Sequence, residues 1–523
     1  MTDYPRPERT LRELIADRAA QTPRDIFAVF EEREISYGEL ADQVAGLASG
    51  LLGHGLKPGD RVAVMMANHP DHIVTFLALA SLGCVWIPVN VHLRGPSLEY
   101  ILGRSQPRAV IIDEVYWETV ESLLPHEFPQ TVILRQASKT QTQSCLDFAE
   151  LINTGATHLP GEPKLNDLRC ISFTSGTTGP PKGVLMTERM LQVCAIGAGL
   201  AASVQPGDVF LVWEPLYHNS GAQICILALQ CPVKLIMTPR FSASNFWSQI
   251  KRHHVTKIHY LGGIVDILLK QSARSEEAAH QAGIAFGGGC HREKWSLFEQ
   301  RFGVKIQECY GLTEASGFST INTSGKIGSI GKPLPYFEVQ IIDEAGRLVS
   351  PNEKGEIIIH EKEPGLITQG YLDNPEATAE ALKDGCLHTG DLGSYDDDGD
   401  FFYLGRIKDS IRRRGENISA WEVERVLNRH PDVQESAVIG VAADIGEQEL
   451  KAFIKLRDGS TLSPLELVKW CEPSLPYYQI PRFIEFIDSF EKTPTERIRK
   501  ENLPADSTAT WDLEKSGYQP QRR

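Results

Sequence analysis

The sequence predicts an α/β protein with a large N-terminal domain of parallel-rich sheets and helices and a small α+β C-terminal domain. Its 523 residues exceed what one hydrophobic core usually holds, so at least two domains are expected. Short apolar runs alternate with amphipathic helical stretches along most of the chain, as in parallel sheets covered by helices on both faces. After about residue 400 a charged, turn-rich segment leads into a region of different pattern.

The predicted strands of the large domain are short runs rich in β-branched residues. In chain order they are RVAVMMA from Arg61, CVWIPV from Cys84, AVIID from Ala109, TVIL from Thr131, VKLIMT from Val233 and KIHYLGG from Lys257. Residues 73–89 carry no charge over a length that approaches a membrane span. Because Gly83 and Pro88 interrupt them, we predict a buried helix, a turn and a strand there instead of a membrane span.

The small domain is predicted from three further apolar runs, SAVIGVAA, ELKAFIKL and RFIEFID. It would contain about 100 residues, a size that can fold alone. After Leu503 the chain turns polar. We therefore predict a large domain at residues 1–407, a small domain at 408–505 and a poorly packed polar tail at 506–523.

Composition narrows the classes of function. A formal net charge of -15 repels polyanions, so nucleic acid is not an expected partner. The ten cysteines are scattered without a C-x-x-C pair or metal-ligand spacing, which is typical of reduced packing thiols. The first twenty or so residues alternate charges and lack an apolar segment, so we expect no secretory signal and a cytoplasmic location.

The strongest local signal for chemistry is FTSGTTGPPKG at residues 173–183, which follows an apolar run. Its glycines let the backbone approach a ligand closely, its hydroxyls add donors and its lysine adds positive charge. The alternative is an ordinary Gly/Ser/Thr surface turn, and a Walker A loop cannot be aligned with this string. We favour a polyphosphate site with the candidate ligands Thr174, Ser175, Gly176, Thr177, Thr178 and Lys182.

This string resembles the signature loop of the acyl-adenylate-forming superfamily, which contains acyl-CoA ligases, luciferases and peptide-synthetase adenylation domains. Further similar segments follow in that family's order: PLYH at 215–218, GGG at 287–289, YGLTEA at 310–315, GSIGKP at 328–333, HTGD at 388–391 and GRIKD at 405–409. The resemblance covers roughly residues 10–503. It implies an ATP-dependent, Mg²⁺-requiring enzyme that activates a small carboxylic acid as acyl-AMP, releases pyrophosphate and then forms a coenzyme A thioester.

The resemblance also implies roles for the matching residues in adenylate formation. Tyr310 would stack on adenine, and Asp391 would accept both ribose hydroxyls with support from Arg406. Thr313 would bond the α-phosphate, while Glu314, together with Thr174, would hold Mg²⁺, which prefers oxygen ligands. The base pocket would be lined by Gly287, Gly288 and Gly289 and by the backbone of Glu308 and Cys309, and Gly311 would also contact the nucleotide.

For the second half-reaction, the resemblance implies that His218 gates the passage between the acyl pocket and the thiol tunnel. Lys408 would be the hinge of a mobile small domain. Arg412, Arg414 and Gly415 would contact coenzyme A. The alternatives are a structural histidine at 218 and a plain solvated face for the basic run.

One departure from the family pattern concerns the C-terminal catalytic lysine. Arg497, within KTPTERIRK at 492–500, stands where that lysine is usual. Arginine keeps the charge but presents a planar fork in place of a compact ammonium group. The departure implies either that adenylation is slow or that Arg497 or Lys500 takes over the role of the missing lysine.

RFSASNFW at 240–247 and RGENIS at 414–419 are similar to the carnitine and crotonobetaine CoA ligase branch. Aromatic walls can hold a quaternary ammonium by cation–π contact or an apolar acyl chain, and we slightly favour the second. Two other hypotheses stay open, namely transfer to an amine or carrier-protein thiol, and a nucleotide-binding protein with impaired catalysis. A homodimer is also left open. The pocket candidates are Trp213, Tyr217, Gln223, Tyr260, Phe286, Cys290 and Ser316.

Overall fold

The computed structural model describes most of the chain. The described residues are 5–123, 129, 131–137, 145–174, 181–261, 263–274, 277, 279–407, 410–413, 416–442, 448–475, 477–493, 497–507 and 510–520. They divide into two compact units. The larger comprises Met1–Val339 and Ile359–Leu387, and the smaller comprises Gln340–Ile358 and His388–Arg523. The domain limit between residues 407 and 408 stays a prediction.

Helices are distributed through both units. They are α1 (Leu11–Gln21), α2 (Tyr37–Gly53), α3 (Pro70–Leu82), α4 (Gly95–Ser105), α5 (Glu114–Glu121), α6 (Phe148–Ile152), α7 (Glu188–Ala201), α8 (Asn219–Gln230), α9 (Phe246–Arg252), α10 (Gly263–Lys270), α11 (Arg292–Phe302), α12 (Pro375–Ala381), α13 (Ala420–Leu427) and α14 (Pro464–Cys471).

Strands alternate with these helices, which is the α/β pattern expected from the sequence. They are β1 (Ile26–Phe30), β2 (Arg33–Ser36), β3 (Arg61–Met65), β4 (Val85–Pro88), β5 (Ala109–Asp113), β6 (Thr131–Arg135), β7 (Leu146–Asp147), β8 (Leu168–Thr174), β9 (Lys182–Thr187), β10 (Val209–Val212), β11 (Lys234–Met237), β12 (Lys257–Leu261), β13 (Ile284–Gly288), β14 (Lys305–Leu312), β15 (Gly317–Ile321), β16 (Lys332–Pro333), β17 (Phe337–Ile342), β18 (Gly355–Glu361), β19 (Leu382–Lys383), β20 (Cys386–Tyr395), β21 (Phe401–Arg406), β22 (Ser410–Arg413), β23 (Glu416–Ser419), β24 (Val433–Ala442), β25 (Gln448–Leu456), β26 (Phe483–Phe486) and β27 (Trp511–Asp512).

Two parallel-rich sheets organise the larger unit. One has the order β16-β15-β14-β13-β12-β10-β11-β1-β2, and its central pairs from β14 to β1 are parallel. The other has the order β7-β6-β5-β3-β4-β8-β9, with only the β8–β9 pair antiparallel. All six strands predicted for this region are present. The predicted α/β class is confirmed.

A layer of helices fills the space between the two sheets. One hydrophobic cluster joins Val62 of β3 and Phe210 of β10 to buried residues of α2, α3, α7 and α8. The outer face of the nine-stranded sheet packs against α9, α10 and α11, and that of the seven-stranded sheet packs against α4 and α5. Strands covered on both faces have no water-facing side, which explains continuous apolar runs such as AVIID.

The uncharged segment at 73–89 folds as the predicted helix, turn and strand. Helix α3 ends at Gly83, whose φ of 86° is the left-handed conformation that glycine adopts most readily. β4 follows and is buried throughout. Among the described residues, none of the helices combines the length and apolar character that crossing a bilayer requires.

The smaller unit contains a four-stranded sheet in the order β24-β25-β26-β27, which packs with α13 and α14. Strand β27 corrects part of one expectation, because Asp512 and Leu513 of the predicted loose tail are buried. Asp512 is buried, and one of its carboxylate oxygens lies 3.2 Å from Nε of Arg482. Leu513 is also buried in the core of this unit. The polar composition of this segment could not reveal its ion pair with Arg482, which lies about thirty residues earlier and directly precedes β26.

Candidate active site

The predicted phosphate loop is carried by the β8–β9 hairpin. Thr174 ends β8 and pairs in register with Lys182, the first residue of β9. The hydroxyl of Thr174 also donates to the carbonyl oxygen of Lys182 at 3.4 Å. The two ends of the loop are therefore held side by side at the edge of the seven-stranded sheet. The other four candidate ligands, Ser175, Gly176, Thr177 and Thr178, lie outside the described residues.

An aromatic side chain connects this hairpin to the candidate metal ligand. Nζ of Lys182 lies 5.0 Å from the ring centroid of Tyr371, which is within cation–π range. The hydroxyl of the same tyrosine donates to Oε1 of Glu314 at 2.8 Å. Two segments about 130 residues apart in sequence, one supplying a cation and the other a carboxylate, are thus brought to one place.

The backbone around Tyr371 reinforces that connection. The amide of Thr368 donates to the carbonyl oxygen of Glu314 at 2.8 Å, and its hydroxyl donates to the carbonyl oxygen of Leu185 in β9 at the same distance. The hydroxyl of Ser316 donates to the carbonyl oxygen of Leu366 at 2.5 Å. Residues 366–372 therefore connect the turn after β14 to β9 by hydrogen bonds.

Helix α8 brings a third segment to the turn after β14. Its first residue, Asn219, donates from Nδ2 to the hydroxyl oxygen of Thr313 at 3.2 Å. His218 is the N-cap of this helix, since its Nδ1 accepts from the backbone amide of Ser220 at 3.2 Å. The imidazole of His218 is exposed. The capping role explains why a histidine stands here, and its role as a gate stays a prediction.

A buried carboxyl group holds the glycine turn that follows β13. Glu308 of β14 accepts hydrogen bonds from the backbone amides of Gly289 and Cys290 and from the hydroxyl of Tyr260. Burial raises the pKa of Glu308 to about 8, although these three donors act to lower it. The same burial, with Glu308 adding to it, raises the pKa of Tyr260 well above its usual value.

Close approach of strands explains the glycines around this turn. A Cβ atom at Gly287 would lie 1.9 Å from the carbonyl oxygen of Tyr260. Gly288 follows it in β13, and Cys309, whose carbonyl oxygen lies beside Gly288, is buried. A side chain therefore has no room at Gly287, which is buried between β12 and β14, whereas Gly288 is half-buried and Gly289 is exposed.

The β14–β15 hairpin shapes the other side of the predicted base pocket. Its register shifts between Tyr310 and Gly311, a bulge that changes the direction of the following side chains. A Cβ atom at Gly311 would lie 1.8 Å from the carbonyl oxygen of Gly317. Tyr310 itself is largely buried. The short 3₁₀ turn Thr313–Ala315 follows directly.

The structure divides the predicted acyl-pocket residues between two faces of the nine-stranded sheet. Phe286 belongs to the cluster that packs against α7 and α8. Trp213, Tyr260 and Cys290 belong to the cluster on the opposite face, with α9, α10 and α11. A single wall on one face therefore cannot contain both groups.

The remaining candidates lie in three different places. Gln223 is buried in α8, where its Oε1 accepts from the thiol of Cys194 in α7 at 3.1 Å. Ser316 is buried directly after the 3₁₀ turn Thr313–Ala315. Tyr217 packs against the cluster of the seven-stranded sheet, and burial raises its pKa to about 12.

Sequence reasoning missed a buried acid–histidine pair in this region. Glu214 precedes the PLYH segment, and its Oε1 lies 2.5 Å from Nδ1 of His259 in β12. Asn68 secures the chain at Glu214 by donating to its carbonyl oxygen at 2.7 Å. Tyr371 and Asn219 were missed as well. Only Asn219 had a usable signal, because it directly follows the singled-out His218.

In the smaller unit, Asp391 and Arg406 form the predicted pair. They face each other across the antiparallel β20–β21 ladder, and Nε of Arg406 lies 2.8 Å from Oδ1 of Asp391. Asp391 is buried, and its backbone amide donates to the hydroxyl of Thr389. A buried, oriented carboxylate is chemically suited to accept two neighbouring hydroxyls.

The basic run of the smaller unit is only partly described. Lys408, Arg414 and Gly415 lie outside the described residues, and Arg412 is described only as part of β22. Arg413 between them is buried, with Nε 2.5 Å from Oε2 of Glu449. The middle arginine of the run thus has a structural contact.

The two candidate C-terminal cations, Arg497 and Lys500, differ in exposure and in their contacts. Arg497 is exposed, and its backbone is fixed by two hydrogen bonds with Thr493. Nζ of Lys500 lies 2.7 Å from Oε1 of Glu424, in an ion pair shielded partly from water. Lys500 is therefore already engaged in the smaller unit.

Comparison with known proteins identifies the family of this chain. The family model for the AMP-binding enzyme matches residues 15–372, and that for the AMP-binding enzyme C-terminal domain matches residues 422–497. The chain belongs to the AMP-binding enzyme family. Within that family it is similar to the crotonobetaine/carnitine–CoA ligase of Citrobacter koseri, with 28% identity over 510 residues that cover 95% of this chain and 99% of the relative.

Solved structures of AMP-binding enzymes superpose on the chain. The o-succinylbenzoate CoA synthetase of Bacillus subtilis in complex with its acyl-adenylate intermediate has a TM-score of 0.82 and 25% identity, covering 94% of this chain and 97% of the other. The same enzyme in complex with ATP and magnesium ion has a TM-score of 0.81 and 25% identity, covering 94% and 98%. Both are similar to this chain over nearly its full length.

Proposed function

We propose that this chain uses ATP to convert a small carboxylic acid to its acyl-adenylate, releases pyrophosphate and then forms the coenzyme A thioester. Membership of the AMP-binding enzyme family supports the first step. The similarity to a CoA ligase along nearly the whole chain supports coenzyme A as the acceptor. The observation that carries the proposal is the contact chain from Lys182 through Tyr371 to Glu314.

That contact chain answers the electrostatic problem of the reaction. A carboxylate that attacks the α-phosphorus of ATP brings two anions together, so the site must supply positive charge and fixed positions. Lys182 provides the charge at the base of the phosphate loop. Thr313 would donate to the α-phosphate, because its hydroxyl oxygen accepts from Asn219 and a hydroxyl also carries one hydrogen to donate.

The residues present also suit a magnesium ion. Glu314 uses one carboxylate oxygen for Tyr371, and a carboxylate has lone pairs for further partners. With the hydroxyl of Thr174, it would provide the hard oxygen ligands that Mg²⁺ prefers. When bound, Mg²⁺ neutralises charge on the phosphates. Adenine would lie between Tyr310 and the turn at 287–289, and Asp391 with Arg406 would bind the ribose.

Further parts of the proposal rest on the family resemblance and on residue chemistry. Lys408, Arg412, Arg414 and Gly415 would serve the thioester half-reaction. Arg497 is proposed as the C-terminal cation, because Lys500 is paired with Glu424. The free cysteines support a reducing, cytoplasmic compartment. A homodimer stays a prediction.

The direct test measures pyrophosphate release with ATP, Mg²⁺ and a panel of small carboxylic acids. We expect release that depends on one class of acid, and a thioester that mass spectrometry detects only after coenzyme A is added. Tyr371→Phe keeps the ring beside Lys182 but removes the hydroxyl that Glu314 accepts. It should lower kcat/KM for MgATP about fivefold, the equivalent of about 1 kcal/mol for one hydrogen bond.

The matched control for that variant is Tyr395→Phe, which removes a hydroxyl that donates to the carbonyl oxygen of Val349 in the smaller unit. It should leave the MgATP dependence unchanged. Absence of pyrophosphate release with every acid would refute the proposed function. If Tyr371→Phe and Tyr395→Phe had the same kcat/KM for MgATP, Tyr371 would have no role in the site.

A further inference from the structure

Glu214 and His259 form a fully enclosed pair inside the larger unit. Their side chains are 0% and 1% exposed, and Nδ1 of His259 lies 2.5 Å from the carboxylate. Such a carboxylate fixes the imidazole orientation and favours a proton on Nδ1, so that Nε2 points away from the pair. The indole of Trp213 further holds this strand by donating to the carbonyl oxygen of His259 at 3.0 Å.

Nε2 of His259 is buried, yet it has no hydrogen-bond partner among the residues that the structure describes. Other buried polar atoms of the described residues share this feature, among them both ring nitrogens of His72, whereas the carboxyl group of Glu308 accepts from three donors. A buried polar atom without a partner costs stability in the folded protein and requires an explanation. A ligand that supplies the missing hydrogen bond is such an explanation.

The position of His259 connects it to the proposed site. In register it is opposite Phe286 of β13, and the two rings are 4.9 Å apart, so it shares the sheet face that packs against α7 and α8. Its ring is 6.3 Å from that of Phe318 in β15. Phe318 follows the turn of Thr313 and Glu314 by only a few residues. His259 therefore lies on the α8 side of the sheet, and its ring is near Phe318, which follows the Thr313–Ala315 turn, although β13 and β14 separate the two strands in the sheet.

We propose that His259 determines substrate specificity by binding a hydroxyl group on the acyl chain of the acid, with Glu214 orienting its ring. The inference rests on the proposed adenylation function and names its substrate class, a hydroxylated carboxylic acid. A hydroxyl both donates and accepts, so it satisfies Nε2 whether or not that nitrogen carries a proton. An unsubstituted chain leaves the nitrogen without a partner, and sites built to bind a hydroxyl reject such analogues strongly.

The test compares pyrophosphate release from saturated small acids and from the same acids with one hydroxyl at each carbon in turn. For one position of the hydroxyl, the wild-type protein should prefer the hydroxy acid by at least about tenfold in kcat/KM. His259→Leu should abolish this ratio, chiefly by lowering kcat/KM for the hydroxy acid. Glu214→Gln preserves the volume but weakens the orientation of the ring, so it should reduce the ratio by a smaller factor.

The matched control is His72→Leu, which replaces another buried histidine of the same unit, on α3, and should keep the wild-type ratio. An unchanged ratio in His259→Leu, or no preference in the wild type while acids are still activated, would overturn this inference alone. If no acid released pyrophosphate, both the proposed function and this inference would be refuted. If His259→Leu does not fold, the inference is tested by two measurements. These are the preference of the wild type for the hydroxy acid and the change of that preference in Glu214→Gln.

Discussion

The carboxyl group of Glu308 links three strands at the scale of single side chains. It lies in β14, receives the hydroxyl of Tyr260 from β12 and binds the backbone of Gly289 and Cys290 after β13. Sequence reasoning placed only the backbone of Glu308 near the base. The structure adds that its side chain positions the turn, at the cost of burying an ionisable group.

Glu308→Gln should make the stability of the larger unit less dependent on pH. The folded state raises the pKa of Glu308 from 4.5 to about 8, so between these values it holds a proton that the unfolded state releases. The wild type should therefore lose stability as pH rises through this window, by up to about 1.4 kcal/mol per pH unit. Melting temperatures measured across the window should fall more steeply for the wild type than for Glu308→Gln.

Glu8→Gln, which replaces an exposed carboxyl group, is the control for that experiment. It should show the steeper, wild-type dependence. The burial argument is contradicted if Glu308→Gln and Glu8→Gln give the same slope.

At the scale of secondary-structure elements, the site depends on how closely neighbouring strands approach. β13 lies between β12 and β14, and a side chain at Gly287 would collide with the backbone of Tyr260. Backbone atoms cannot move aside as the end of a flexible side chain can. The glycine run is thus a packing requirement of the sheet as well as a surface for a nucleotide.

Gly287→Ala should destabilise the larger unit by about 1–3 kcal/mol, the usual cost of overpacking, and should weaken ATP binding. The expected readouts are a lower melting temperature and a higher Kd for ATP by calorimetry. Gly283→Ala is the control, because a Cβ atom there has nothing within 4 Å. If both alanine variants had the same stability, the close approach of β12 and β13 would not explain Gly287.

At the scale of the whole molecule, the residues proposed for the reaction occur in both units. Lys182, Tyr371 and Glu314 belong to the larger unit, whereas Asp391 and Arg497 belong to the smaller one. Arg497 is exposed to solvent, and its backbone is hydrogen-bonded to Thr493. An exposed arginine can meet an anionic ligand, whereas Lys500 already has a carboxylate partner.

Arg497→Ala should lower acid-dependent pyrophosphate release about 100-fold, as expected when a charged donor to a developing anion is removed. Arg497→Lys keeps the charge and should retain activity within about tenfold of the wild type. Lys500→Ala should change pyrophosphate release only slightly. The control for Lys500→Ala is Lys492→Ala, which breaks another lysine–glutamate pair of this unit and should have a similarly small effect. Loss of activity in Lys500→Ala with full activity in Arg497→Ala would reverse the assignment.

Many elements could be predicted because their signals are local. The strands at Arg61, Cys84 and Ala109, and the helix and turn before β4, follow from apolar runs and from breakers such as Gly83. Within the predicted tail only Asp512 and Leu513 differ from expectation, because their burial and pairing depend on a partner strand. Composition alone does not report such a partner.

The sequence by itself determined the α/β class, the order of the strands along the chain and the polar segments that end them. Only the tertiary structure decided that Tyr371 joins Lys182 to Glu314, that Asn219 reaches Thr313, and that Glu214 pairs with His259. It also decided that Phe286 and Tyr260 occupy opposite faces of one sheet. The physical reason is that apolar periodicity specifies which face of a strand is buried, whereas the register and order of strands in the sheet specify which distant side chains meet there.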